Sequence, residues 1–159
     1  MYRLLIADDE MIERKVLFKT LSQNLKGQCE IFQAENGREA LEIYEKEKIQ
    51  IAILDIEMPG INGIQAAERI REKDKKCCII FLTAFDEFAY AKKAITVRAL
   101  DYLLKPWDEK ELMLVLEEAM RMAGEEKDFR KKRQKRYPRK KNGTIWKNWQ
   151  KMMQVKICA

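Results

Sequence analysis

The stretch Ile51-Ala52-Ile53-Leu54-Asp55-Ile56-Glu57-Met58-Pro59-Gly60-Ile61-Asn62-Gly63 decides the fold. Its first four residues are all apolar and read as a strand buried on both faces, closing on a carboxylate. Met58 to Gly63 is rich in turn formers. Beyond it, Ile64, Ala67 and Ile70 fall on one face of a helix. A buried strand, an acid at its end, a turn and an amphipathic helix make one repeating unit.

Four more units of this kind surround it. Leu4-Leu5-Ile6-Ala7 precedes Leu17, Leu21 and Leu25 at helical spacing. Glu30-Ile31-Phe32-Gln33-Ala34 alternates more, as suits an edge strand, and precedes a helix face of Ala40, Leu41 and Tyr44. Cys78-Ile79-Ile80-Phe81-Leu82 ends on Thr83 and is followed by Ala91, Ala94 and Ile95. Leu100-Asp101-Tyr102-Leu103-Leu104 leads through Lys105-Pro106 to Leu112, Val115, Leu116 and Ala119. Strand–helix alternation implies right-handed crossovers and a parallel sheet covered on both faces. The expected class is α/β, a flavodoxin-like (βα)5 doubly wound sheet in the order 2-1-3-4-5 with a basic C-terminal tail. The first, third and fourth strands are the most continuously apolar and belong at its centre.

Polar residues collect at the carboxyl ends of these strands. Asp8, Asp9 and Glu10 follow the first, Asp55 the third, Thr83 ends the fourth, and Lys105-Pro106 follows the fifth. Neighbouring strands lie about 4.8 Å apart, so these side chains can converge. Clustered carboxylates repel unless a cation neutralises them, and Mg²⁺ suits a site with few oxygen ligands that keeps waters for a phosphate to replace. Phosphoryl transfer to a carboxylate needs a nucleophile, a divalent cation, a second positive charge and a donor to the equatorial oxygens. Asp55, Mg²⁺ on Asp8 and Asp9, Lys105 and Thr83 would supply them, with the small Ala84 leaving room.

Composition narrows the chemistry. None of the 159 residues is histidine, which excludes Ser-His and Cys-His nucleophiles and imidazole-ligated metals in this chain. Cys29, Cys77, Cys78 and Cys158 form no CxxC pair, and Cys77 and Cys78, which adjoin an apolar run, read as small core or strand residues. No apolar run approaches the roughly 20 residues that span a bilayer, and the first residues do not read as a signal peptide, so a cytoplasmic location is expected, without membrane contact. Residues 1–122 hold 19 Lys and Arg against 23 Asp and Glu, a net −4, while residues 123–159 hold 13 against 3, a net +10.

The segments Ile6-Ala7-Asp8-Asp9-Glu10, Asp55 to Gly63, Thr83-Ala84 and Lys105-Pro106 resemble, in order and spacing, the receiver domains of two-component response regulators. The resemblance covers residues 1–122. It implies that Asp55 is the phosphoacceptor, that Asp9 ligates Mg²⁺ directly and Asp8 largely through water, and that Glu57 offers its backbone carbonyl while its side chain influences phosphoryl lifetime. It further implies that Thr83 and Tyr102 form a coupled switch pair, that Lys105 contacts the phosphoryl group, and that the Lys105-Pro106 bond is cis. A sensor histidine kinase would be the donor. Homodimerisation through the face of the fourth helix, fifth strand and fifth helix would be the readout, controlling an output such as transcription. Phe85-Asp86-Glu87-Phe88-Ala89-Tyr90-Ala91-Lys92-Lys93-Ala94 looks like the corresponding region of receivers attached to AraC-type DNA-binding domains.

Plainer readings exist for each piece. Asp9 or Glu10 would serve as a helix N-cap or first-turn acid, Asp55 as a turn carboxylate, Thr83 and Tyr102 as strand residues, and Lys105 as a surface lysine. A Mg²⁺-dependent aspartyl-phosphate phosphohydrolase would also want a second acid two residues after the nucleophile, where Glu57 stands. That class usually has aspartate there and a cap insertion this chain lacks room for, so a switch rather than an enzyme is expected, assisting only its own phosphorylation and dephosphorylation. A flavin-binding reading is weaker still, since the first loop is acidic where phosphate needs donors.

From Lys127 to Lys141 the chain is densely basic, including Arg130, Lys131, Lys132, Arg133, Lys135 and Arg136. A solvated linker is the preferred reading, and contact with DNA or RNA phosphates is the alternative. Trp146, Trp149 and Met153 would suit one short helix. The 37 residues after 122 are too few for an AraC-type output domain, so the tail is expected to be a truncated or short ending, largely disordered.

Overall fold

The computed structural model describes residues 1–136. Strands and helices alternate as β1 (Tyr2–Ala7), α1 (Met11–Asn24), β2 (Cys29–Ala34), α2 (Gly37–Glu47), β3 (Ile51–Leu54), α3 (Gly63–Lys73), β4 (Cys78–Thr83), α4 (Phe88–Thr96), β5 (Asp101–Leu104) and α5 (Glu109–Arg136). The strands form one sheet in the order β2-β1-β3-β4-β5, every pair parallel. This is the expected flavodoxin-like arrangement, and burial follows the expected ranking. All residues of β3 and β4 are buried, whereas β2 buries only Ala34 and β5 only Leu103.

The period-two alternation of each central strand divides the core between the two faces of the sheet. Leu5, Ala7, Ala52, Leu54, Ile79 and Phe81 pack with α2, α3 and α4 through residues such as Ala40, Ile64, Ala67, Ile70 and Ala94. Leu4, Ile6, Ile51, Ile53, Ile80 and Leu82 face the other way, against Leu17 and Leu21 of α1 and Leu112, Leu116 and Ala119 of α5. Cys77 and Cys78 are both buried, and burial pushes the Cys77 thiol up to about 12, in keeping with a core role.

Three local outcomes correct or refine the sequence expectations. The N-cap position of α1 is Glu10, but no side chain there caps the helix; the Glu10 amide instead donates to Asp8 Oδ1 at 2.9 Å. Of Ala91, Ala94 and Ile95, which mark α4 in the sequence, only Ala94 is buried, with Val97 just past the helix, and Ile95 is 77% exposed. And α5 continues without a break across the 122/123 division and includes residues 127–136 of the basic run. The compact unit that carries the sheet is Met1–Gly124, and a second unit begins at Glu125. Trp146, Trp149 and Met153 lie outside the described residues, as does the rest of the basic run. No described helix is long and apolar enough to cross a membrane.

Two glycines bind the loop after β3 to its surroundings. A Cβ at Gly63 would lie 2.0 Å from the carbonyl oxygen of Asp55, and one at Gly37 would lie 2.1 Å from that of Ile61. The Gly63 amide donates to the Ile56 carbonyl at 2.9 Å, so the start of α3 is pressed directly onto the backbone that carries Asp55. Asn62 caps α3 reciprocally with Gln65, at 2.8 and 3.0 Å. A Gly63→Ala chain is expected to lose about 2–3 kcal/mol of stability, since backbone rather than a yielding side chain blocks the methyl group. Urea unfolding checks this; an unchanged midpoint would show that the loop has slack.

Candidate functional site

Register delivers the polar residues to one place. Ala7 pairs with Leu54 across β1 and β3, so Asp8 and Asp55 emerge side by side, and the Asp55 amide donates to the Ala7 carbonyl at 2.9 Å. Thr83 pairs with Leu104 across β4 and β5, and the Lys105 amide donates to the Thr83 carbonyl at 2.8 Å. The Lys105-Pro106 peptide is cis.

Carboxylate oxygens of Asp8, Asp9 and Asp55 lie within 4.8 Å of one another. Asp8 and Asp55 are buried and Asp9 is exposed. The Lys105 ammonium reaches Asp8 Oδ2 at 2.7 Å and Asp55 Oδ2 at 3.2 Å. Asp55 Oδ1 is buried and has no hydrogen-bond partner. A buried carboxylate oxygen left unmatched is costly, and its residue stands in a cluster of like charge.

Burial is the largest influence on Asp55 and pushes its carboxyl up to about 6; Lys105 pulls it down and Asp8 pushes it further up. Burial alone would also lower Lys105, but the hydrogen bond to Asp8 and the attraction of Asp55 and Asp8 outweigh it and hold the ammonium above its ordinary value.

Asp8, Asp9, Asp55 and Lys105 are thus brought together. The side chains of the remaining sequence candidates are not joined to this cluster by a hydrogen bond or ion pair among the described residues. Thr83 is fully buried, and its hydroxyl accepts from the Phe85 amide at 3.4 Å. Ala84 is exposed. Tyr102 is half-buried, tilts against Phe81 at 6.4 Å between ring centroids and donates its hydroxyl to the Phe85 carbonyl. Glu57 is exposed, and its carboxylate accepts from the Tyr90 hydroxyl. Of the tail candidates, Lys131 and Lys132 are exposed on α5, and Arg130, Arg133, Lys135 and Arg136 belong to the same helix.

Two contributors escaped the sequence reading. Tyr90, on the first turn of α4, ties that helix to the loop after Asp55; nothing in its spacing marks it. Arg14 is buried and donates to the Asp8 carbonyl at 2.6 Å. A signal for it existed: Arg14 shares a helix face with Leu17 and Leu21, a charge where the pattern calls for an apolar residue.

A doubly wound sheet with three carboxylates at the ends of its inner strands β1 and β3, and a lysine after the edge strand β5, defines an α/β domain with an acidic site able to take a hard cation. The family model described as response regulator receiver domain matches residues 4–117, and the chain belongs to that family. Sensory transduction protein LytT of Oceanobacillus iheyensis is 40% identical over 116 residues, 71% of this chain and 46% of that protein. Among solved structures, the REC domain of AraT, a response regulator from Geobacillus stearothermophilus, is 35% identical with a TM-score of 0.72, covering 79% of this chain and 98% of that one. A two component transcriptional regulator AraC from Clostridium phytofermentans is 26% identical with a TM-score of 0.69, covering 80% and 98%. The chain spans about half the length of the curated relatives it matches. As the receiver domain of a two-component response regulator, it is a module for phosphorylation-dependent signalling.

Because the Asp55 carboxyl is pushed up on folding, the folded chain binds more protons than the unfolded one between about pH 4 and 6. Metal-free stability therefore carries a penalty that grows as pH rises through that window and stays constant above it. Asp55→Asn removes the penalty and is expected to stabilise the chelator-treated protein near pH 7 by about 1–3 kcal/mol, with little effect near pH 4. Urea titrations at both pH values check this; a less stable variant near pH 7 would mean that Lys105 outweighs burial.

Proposed function

We propose that Asp55 accepts a phosphoryl group from a sensor histidine kinase and that the modified domain signals through the face of α4, β5 and α5. The observation that carries this reading is the unpartnered, buried Asp55 Oδ1 beside a lysine shared with Asp8. An oxygen so placed is free to attack phosphorus, while Oδ2 is already engaged. In that step an oxygen–phosphorus bond forms at Asp55 and the bond to the donor's nitrogen breaks. None of the 159 residues is histidine, so a phosphohistidine donor lies outside this sequence.

The clustered carboxylate oxygens of Asp8, Asp9 and Asp55 fit Mg²⁺, with Asp55 offering the oxygen that does not attack. Asp9 and Asp55 would hold it directly, Asp8 largely through water, and the Glu57 carbonyl would complete the protein ligands. The ion supplies neutralisation of charge on the transferring group. Lys105 needs only to exchange Asp8 or Asp55 for a phosphoryl oxygen, a short move for an ammonium already between the two. The Thr83 hydroxyl, by leaving the Phe85 amide, would donate to a second oxygen. Tyr102 holds the carbonyl of that same Phe85, so Thr83 and Tyr102 act on one segment, which supports their reading as a coupled pair. Ala84 adds no bulk between them.

Phe88, Ile95 and Leu104 are 84%, 77% and 41% exposed on α4 and β5, which supports homodimerisation there. An output acting on transcription, with DNA as its target, and a cytoplasmic setting belong to the same proposal. The exposed Lys131 and Lys132 on α5 favour a second, subsidiary reading in which the tail touches nucleic-acid phosphates.

With Mg²⁺ and a small acyl phosphate, the wild-type chain is expected to gain one hydroxylamine-labile phosphoryl group by intact mass, and chelator or Asp55→Asn to abolish it. Beryllofluoride, with Mg²⁺, should then shift the chain toward dimer in light scattering, and Ile95→Asp should block the shift. Equal beryllofluoride binding by the Asp55→Asn variant would sink the reading.

A further inference from the structure

Asp8 is held at four points, its amide donating to the Ala34 carbonyl at 3.1 Å, and Asp9 at none. The Asp8 side chain gives Oδ1 to the Glu10 amide and Oδ2 to Lys105, and its carbonyl oxygen accepts from the Arg14 guanidinium at 2.6 Å. No hydrogen bond or ion pair to Asp9 is formed among the described residues. The direction in which Asp9 presents its carboxylate is therefore inherited from the peptide that joins it to Asp8, and Arg14 grips that peptide.

A buried guanidinium is expensive unless its donors are matched. The Arg14 side chain is 9% exposed, and its other contact, Glu35 Oε1 at 3.5 Å, belongs to a side chain that is 70% exposed. Water screens the Glu35 pair, so the short bond to the Asp8 carbonyl is what justifies the burial. A cation beside an acidic cluster would by charge alone discourage a metal ion. Its placement on the backbone, rather than on any of the three carboxylates, points to geometry as its purpose.

We propose that Arg14 is a positioning residue for the metal-binding half of the site, locking the Asp8–Asp9 peptide so that Asp9 meets Mg²⁺ with its carboxylate already aimed. This inference rests on the Mg²⁺ reading of the acidic cluster. Residues that orient ligands without touching the metal typically change its affinity by about 10–100-fold when lost.

The test is calorimetric titration of the full chain with Mg²⁺ alone, comparing wild type with Arg14→Met. Arg14→Gln, which keeps the position polar, serves the same comparison should the Met chain not fold. The expected result is roughly tenfold weaker Mg²⁺ binding, with beryllofluoride affinity at saturating Mg²⁺ close to wild type because the occupied site re-forms the acid pair. Equal or tighter Mg²⁺ binding by the variant would overturn the proposal and leave Arg14 as a structural residue or a nearby charge. Equal losses of Mg²⁺ and beryllofluoride affinity would also overturn it. A wild-type chain that binds no Mg²⁺ would instead overturn the metal reading itself.

Discussion

The Lys105 ammonium between Asp8 and Asp55 is the contact on which the rest of the site depends. Two carboxylates are buried next to each other at the ends of β1 and β3, with the exposed Asp9 close by. One lysine cannot neutralise all three. Burial outweighs its pull on Asp55, whose carboxyl stays up near 6. The metal-free domain therefore holds an electrostatic deficit that a divalent cation would relieve.

The fold is arranged to sustain that deficit. Parallel strands bring their carboxyl ends to one edge, and the apolar lengths of β3 and β4 are buried throughout. Destabilisation confined to a few strand-end residues is offset by a core that fills both faces of the sheet. Gly63 and Gly37 then close the loop after β3 against Asp55 and Ile61 with no room for a methyl group, so the backbone that carries Asp55 is packed directly against the start of α3. Rigidity around the acids and imbalance among them are parts of one design.

Strand identity, sheet order and the meeting of Asp8, Asp9, Asp55 and Lys105 were legible in the sequence because each depends on short-range pattern. A buried strand is a run of apolar residues, and the next residue in the chain must emerge at the sheet edge. Side-chain direction is not encoded that way. Nothing in the sequence tells that the Thr83 hydroxyl turns to the Phe85 amide rather than to the acids, or that Tyr90 reaches Glu57. Ile95 helps to mark α4 in the sequence yet stays exposed, because α4 presents a narrow apolar stripe that Ala94 with Val97 satisfies. Arg14 was hidden by the habit of counting only apolar residues on a helix's inner face.

That narrow stripe gives α4 its character. Its only buried residue is Ala94, so the helix gains little from the hydrophobic effect that fixes α3 through Ile64, Ala66, Ala67 and Ile70. Hydrogen bonds hold it instead. At its start Tyr90 meets Glu57, two residues past Asp55, and Tyr102 meets the Phe85 carbonyl just before the helix. Past its end Arg71 of α3 donates to the carbonyls of Val97 and Arg98 at 2.7 and 3.2 Å. Segments fixed by a few solvent-accessible hydrogen bonds sit at the low-stability end of a structure. Polar contacts can also be exchanged for new ones at little net cost, whereas buried apolar area cannot. The element that carries exposed Phe88 and Ile95 is thus the one least committed to the core, and both bonds at its start end on segments that flank the acidic site.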